Sequence, residues 1–220
     1  MSRLLGTAAA AWAAAACLAA PAPKTSGPTF IDLQGKANQK LADDVGGRIP
    51  NNDLAAVPTG EQTFAKVKFQ VGEKYIQLGS PLLTKEKPEK VEGIPVGRKV
   101  AKLHFLHSTL FGKAQPVIED GATIAEYRVN YDDGTSATVQ VKYGEDLRDW
   151  WYAKSAPEAG EKVKVAWEGE NEASKASNNG IRLYLTTWTN PSRGKKVTTI
   201  DFARVEGTPA SPICVAITAE

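Results

Sequence analysis

Apolar and polar residues alternate with a period of two along most of this chain, the pattern of strands with one covered and one wet face, and a helical period is almost absent. The stretches that carry it are TFIDLQGKA (29–37), FAKVKFQV (64–71), KYIQLG (74–79), KVAKLHFLHS (99–108), IAEYRVNY (124–131), TSATVQVKY (135–143), EKVKVAWEG (161–169), IRLYLTTW (181–188), KKVTTIDFARV (195–205) and PICVAITAE (212–220). Clusters of Gly, Pro, Asn and Asp divide them, which predicts an all-β fold, an antiparallel sandwich or barrel. QKLADDVGG (39–47) is expected to make one short helical turn. TKEKPEKVEG (84–93), with both signs of charge and a proline, reads as a solvated loop.

One hairpin can be resolved to its register. In IAEYRVNYDDGTSATVQVKYG the apolar residues Tyr127, Val129, Tyr131, Ala137, Val139 and Val141 all carry odd numbers. A three-residue loop, Asp132-Asp133-Gly134, pairs Tyr131 with Thr135, Val129 with Ala137 and Tyr127 with Val139, so one face stays apolar. A two-residue loop would set apolar residues opposite polar ones, which a half-buried sheet resists. The pattern therefore selects the longer loop with Gly134 left-handed, and makes Asp132 and Asp133 turn formers in preference to a catalytic carboxylate pair.

AKLHFLHS is apolar on both faces, Leu103 and Phe105 pointing one way and Leu106 the other, as suits a central strand covered on both sides. It also carries the chain's 2 histidines, His104 and His107. Three positions apart on a strand, they face opposite ways and cannot chelate one ion together.

The N-terminus differs from everything that follows. MSRLLGTAAAAWAAAACLAAPAPKT has a basic start at Arg3, an apolar run over 4–20, small residues and a Pro-rich exit, the signature of a secretory signal peptide over residues 1–22. The run is too short and wrongly flanked for a membrane span. Its removal leaves one β-sandwich domain, residues 28–220, exported to the periplasm or beyond the cell. Cys17 opens a rival reading, lipidation after cleavage, but AAAC lacks the large aliphatic residue that normally opens such a site, so the soluble exported form ranks first. With Cys17 gone, Cys214 in PICVAIT has no disulfide partner and reads as a small buried hydrophobe. The domain must be held by its core, and roughly 200 residues can bury about 70% of the chain's surface.

Charge adds little. Of the 27 Lys and Arg only Arg3 lies in the leader, so 26 remain against 25 Asp and Glu, scattered without a basic stripe, and nucleic-acid binding is excluded on electrostatic grounds. No nucleophile elbow, phosphate-cradling glycine loop or Cys-x-x-Cys pair is present. The acidic residues sit mainly at turns and strand edges, so a non-enzyme is expected.

The aromatic residues carry the remaining chemistry. GEDLRDWWYAK (144–154) sets Arg148 and Asp149 beside Trp150 and Trp151, two of the chain's 5 tryptophans, and TTWTNPSRG (186–194) sets Trp188 beside Asn190. Sugar rings stack their C–H faces on Trp or Tyr and bond their hydroxyls to Asp, Asn or Arg, so these residues are the candidate ligand-binding set. In an extended stretch Trp150 and Trp151 alternate, one turned into the core. Trp167, alternating with Val163 and Val165, reads as core.

The order of runs FIDLQGKANQKL, FAKVKFQVG, IPVGRKVAKLHFLHS, YRVNYDDGTSATVQVKYGEDLRDWW and WTNPSRGKKVTTIDFARVEGTPASPICVAITAE resembles the galactose-binding-like β-sandwich modules appended to secreted glycoside hydrolases. The resemblance covers nearly the whole mature chain. It implies a jelly roll of two antiparallel sheets, a saccharide bound by loops at one end and, in some members, a structural calcium. Asp32, Asn38 and Asp44, around the first strand and the loop after it, offer the hard oxygen ligands calcium takes; ordinary turn and edge residues are the competing reading. Two functions follow: a non-catalytic carbohydrate-binding module, or a structural or protein-binding sandwich of the periplasm or envelope. Mass spectrometry of the exported protein is expected to find a mature chain that begins within a few residues of Pro21 and carries no lipid on Cys17; an intact Met1 would count against the signal peptide.

Overall fold

The computed structural model describes residues 27–157 and 159–220. The expected signal peptide, the expected cleavage site and Cys17 fall on residues 1–26, outside the described residues. In chain order the elements are β1 (Thr29–Ile31), β2 (Gln39–Lys40), β3 (Gly60–Phe64), β4 (Val67–Val71), β5 (Lys74–Gln77), β6 (Lys90–Lys99), β7 (Lys102–Leu110), β8 (Thr123–Tyr131), β9 (Ser136–Lys142), β10 (Trp151–Ala153), β11 (Val165–Gly169), α1 (Glu172–Ala176), β12 (Asn179–Thr189), β13 (Lys196–Arg204) and β14 (Ser211–Ala219). The fold is an all-β antiparallel sandwich, as the alternation predicts. Among the described residues no helix is long and apolar enough to cross a membrane.

An eight-stranded sheet runs in the order β10-β12-β7-β14-β5-β2, with β1 added on β14 and β11 on β12. A four-stranded sheet, β6-β13-β8-β9, covers one of its faces, and the β3-β4 hairpin with the loop over 41–57 covers the other. Two cores result. Between the sheets, Leu103 and Phe105 of β7 meet Val129 of β8 and Ile200 of β13, and Tyr127 stacks between Phe105 and Phe202 at centroid distances of 4.0 and 4.4 Å. On the far face, Leu106, Leu183 and Val215 pack under Phe69, Val71 and Leu54. β7 is therefore the doubly covered central strand its sequence indicates, and β14, SPICVAITA, is buried at every position. Cys214 is one of these buried residues, its thiol pushed up to about 12 by burial.

The β8-β9 hairpin has the expected register: Tyr127 faces Val139, Val129 faces Ala137, and the Tyr131 amide donates to the Thr135 carbonyl across a loop in which Gly134 has φ 81°. Asp133 accepts from the amide and hydroxyl of Thr135, the turn-forming role expected of it.

Other stretches depart from the pattern. FAKVKFQV is not one strand: Ala65 and Lys66 both take positive φ (47° and 72°) and turn the chain back, so that Phe64 pairs with Val67. QKLADDVGG forms the two residues of β2 and turns instead of a helical turn. The end of TKEKPEKVEG is not loop but the start of β6, an edge strand that keeps its Lys and Glu outward and tolerates Pro95. Trp167 is half-buried: a register shift between Val165 and Trp167 sends Trp167 to the far-face core while Val163 and Val165 stay with the inter-sheet one. The helix, α1, has no apolar period to announce it; its signal is the capping box of Asn171 and Ser174.

His104 and His107 face opposite ways, as their spacing requires, each bonded to a threonine of β12. His107 is 1% exposed; its Nε2 lies 2.8 Å from Thr186 Oγ1 and its Nδ1 3.3 Å from the Tyr127 hydroxyl. Thr186 in turn donates to the Asp146 carbonyl at 3.3 Å, so a proton on Nε2 completes the chain Tyr127, His107, Thr186, Asp146. Burial pushes His107 down to about 3. Unfolded, it titrates near ~6.5. Its neutral burial therefore contributes stability fully above that value, which is lost as pH falls toward 3, at up to about 1.4 kcal/mol per pH unit. His104, lowered by burial and partly raised by Glu220, adds a smaller slope of the same sign. Urea titrations between pH 7 and 4 are expected to show stability falling with pH in the native protein, and His107→Gln to lower stability at pH 7 while flattening the slope; an unchanged slope would refute the linkage.

Candidate functional site

The stretch 144–154 leaves β9 through a tight loop. Asp146 Oδ2 accepts from the Lys142 amide at 2.7 Å, and the Gly144 amide, at φ 74°, donates to the Leu147 carbonyl. The chain then wedges between the ends of β7 and β12: the Trp150 amide donates to the Thr109 carbonyl at 2.8 Å, and the Arg182 amide donates to the Trp150 carbonyl at 2.7 Å. β10 starts only at Trp151, so Trp150 lies outside the alternating part of the stretch. The two rings consequently do not face opposite ways. Both reach the far-face core, their centroids 6.3 Å apart, and both line one pocket. The division of burial holds for a different reason than alternation: Trp150, 3% exposed, forms the pocket's base, and Trp151, half-buried, its wall.

This pocket of about 330 Å³ is walled by Val45, Ile49, Leu110, Phe111, Trp150 and Trp151, with Arg48 and Lys113 exposed beside it and Asp149 behind. Asp149 shapes it. Its Oδ1 accepts from the Gly112 amide at 2.7 Å, and its Oδ2 from the Lys113 amide at 3.0 Å and the Tyr143 hydroxyl at 3.1 Å. Burial raises its pKa, against the pull of these bonds. They hold Phe111 at φ 66°, a conformation a bulky residue adopts at a cost of about 1–2 kcal/mol. Gly112 is required where the loop passes Tyr143: a Cβ there would lie 2.2 Å from the ring.

The opposite wall is built by Asn52. Its Oδ1 accepts from Trp151 Nε1 at 3.0 Å and from Asn171 Nδ2 at 3.3 Å, and its amide donates to Asp44 Oδ1 at 3.2 Å. The cap of α1 thus steadies the loop that steadies the indole. The residues that sequence reasoning missed, Ile49, Asn52 and Phe111, lie 99 positions (Asn52) and some 40 (Phe111) before Trp151, and nothing local marks them.

The other candidates fall elsewhere. Arg148 is committed: its Nη atoms meet both Asp120 oxygens at 3.0 and 2.6 Å, and its Nε donates to the Ala159 carbonyl. Asn190 is buried, accepting from the Tyr131 hydroxyl at 2.7 Å and donating to the Val100 carbonyl at 2.9 Å. Trp188 packs on the inter-sheet core, seven positions along β12 from the Ile181 that pairs with Trp151, or about 23 Å in an extended strand. Neither joins the Trp150 and Trp151 pocket.

The calcium candidates are parted too. Asp32 accepts from the Gln34 amide and lines a groove with Phe30 and Gln70. Asn38 pairs with the backbone of Gln77 through both amide atoms, and with Asp44 it lines a separate polar cleft of about 660 Å³. Among the described residues no group of three or more His, Cys, Asp or Glu is disposed to hold a metal. Asp32 thus lines one hollow, and Asn38 and Asp44 another.

Compared with protein-family models, curated proteins and solved structures, the chain matches none.

Replacing Asp149 by Ala strands the buried Gly112 amide, which is expected to cost about 2–3 kcal/mol in urea denaturation and to speed amide exchange at residues 111–113, with Asp149→Asn intermediate. Unchanged exchange in that loop would show that Asp149 does not hold it.

Proposed function

We propose that this chain is a non-catalytic carbohydrate-binding β-sandwich, a galactose-binding-like module of an exported protein, that takes a saccharide in the pocket of Trp150 and Trp151. The observation that carries the reading is the half-buried Trp151 ring, fixed through Nε1 by Asn52 and set beside Trp150 and Phe111 over a concave surface. A rigid indole face that keeps part of its surface open is what the C–H face of a sugar stacks on, and its fixed geometry lowers the ordering cost of binding. The non-catalytic part of the reading is supported by the state of the reactive groups: His107 and Cys214 are sealed in the core, and both oxygens of Asp149 are spent on the fold. A second reading, a protein-docking surface, draws on Ile49, a large apolar side chain of the pocket wall that is 44% exposed.

The two tryptophans are expected to behave unequally. Trp150→Ala empties a buried site and should cost about 3–5 kcal/mol, seen as a large fall in melting temperature. Trp151→Ala should stay folded and lose saccharide binding in titrations against a glycan-array hit. Unfolding of both variants would make the rings core filler only, and silence across diverse glycans would favour the protein-docking reading.

A further inference from the structure

The two hollows that share Gly46 differ in charge. The polar cleft is balanced: Asp43 and Asp44 line it together with Lys85 and Lys87, and the Lys87 ammonium is already bonded to the Gln39 side chain. The tryptophan pocket is not balanced. Its one carboxylate, Asp149, has both oxygens occupied by two loop amides and a tyrosine hydroxyl, while Arg48 and Lys113 stand exposed at its edge. Arg48 uses only its Nε, on the Leu82 carbonyl at 2.8 Å, and among the described residues neither cation has an ion-pair partner. Asn52, the remaining polar side chain of the pocket, is consumed by Trp151, Asn171 and the Val45 carbonyl. The pocket can therefore offer a ligand an aromatic and aliphatic wall and two cationic donor groups, while its one carboxylate and its one carboxamide are already bonded into the fold.

From this complementarity we propose that the ligand is an anionic saccharide, one whose ring lies on the Trp151 and Phe111 wall and whose carboxylate or sulfate ester meets Arg48 and Lys113. The inference rests on the saccharide reading and names its substrate class. A guanidinium with free Nη donors matches the two oxygens of such an anion, and the ammonium adds a second charge. A neutral sugar would leave the free Nη donors of Arg48 without an anion, and the Lys113 ammonium with Asp149 as its charged neighbour.

Calorimetric titration at low and high salt with oligogalacturonate, its methyl ester, a sulfated galactan oligosaccharide and a neutral galacto-oligosaccharide tests it. Either the carboxylated or the sulfated probe should bind at least about tenfold more tightly than the ester and the neutral sugar, and should weaken as salt screens the exposed cations; which of the two wins identifies the anion. The Arg48→Gln/Lys113→Gln double variant should keep its thermal melt and lose that preference. Equal binding of acidic and neutral sugars, or an acidic preference that survives the double variant, overturns the anion inference and leaves the saccharide reading standing. No binding of any probe, with glycan-array silence, overturns both.

Discussion

The large sheet is covered on both faces, and the rest of the molecule answers to that constraint. A sheet with one wet face can spend alternate positions on polar residues; this one cannot, so β7, β12 and β14 carry side chains that must be apolar or internally bonded whichever way they point. Most polar atoms that fall there are bonded, His104 Nε2 and Gln77 Oε1 being exceptions. His104 and His107 reach threonines on β12, and Gln77 reaches Ser211. Such satisfied pairs tie neighbouring strands together at positions where a water-exposed face would have left them unconstrained.

The two covering layers differ in kind. One is a regular four-stranded sheet whose Tyr127, stacked between Phe105 and Phe202, gives a dense inter-sheet core. The other is a short hairpin and the loop over 41–57, which close over the far face by side-chain bonds more than by strand pairing: Asn52 to Asp44 and Val45, Asn171 to Asn52 and Asp53. A cover made of loops leaves hollows where a sheet would not. The tryptophan pocket is one of them, bounded by that loop, by the Phe111 turn at the end of β7 and by the wedge at Asp149.

Polar groups are used economically there, and the result is electrostatic. Asp149 holds the Phe111 turn, Asp146 caps the exit of β9, and Asp120 neutralises Arg148, so the carboxylates of the region serve the fold. Arg48 and Lys113, exposed at the pocket edge, have no ion-pair partner among the described residues. Site selectivity on such a surface follows from which charges the fold has already consumed, and residue type alone does not reveal it: Arg148 and Arg48 are the same side chain, one committed on three atoms and one nearly free.

Local regularities were legible in the chain. The odd-numbered parity of Tyr127 through Val141, with a glycine able to take φ 81°, sets the β8-β9 register, and the two-sided apolar pattern of LHFL marks β7 as central. Each depends on period two, a property of adjacent residues. Parity loses its meaning wherever the backbone bends: at the Ala65-Lys66 turn, at the bulge before Trp167, and at Trp150, which precedes its strand and so shares a side with Trp151. The sequence could say that two tryptophans adjoin an aspartate. Only the tertiary structure decided that Asn52 and Phe111 complete their pocket and that Trp188 and Asn190 do not, because those contacts join segments far apart in the chain, and packing at that distance leaves no periodic trace in either partner.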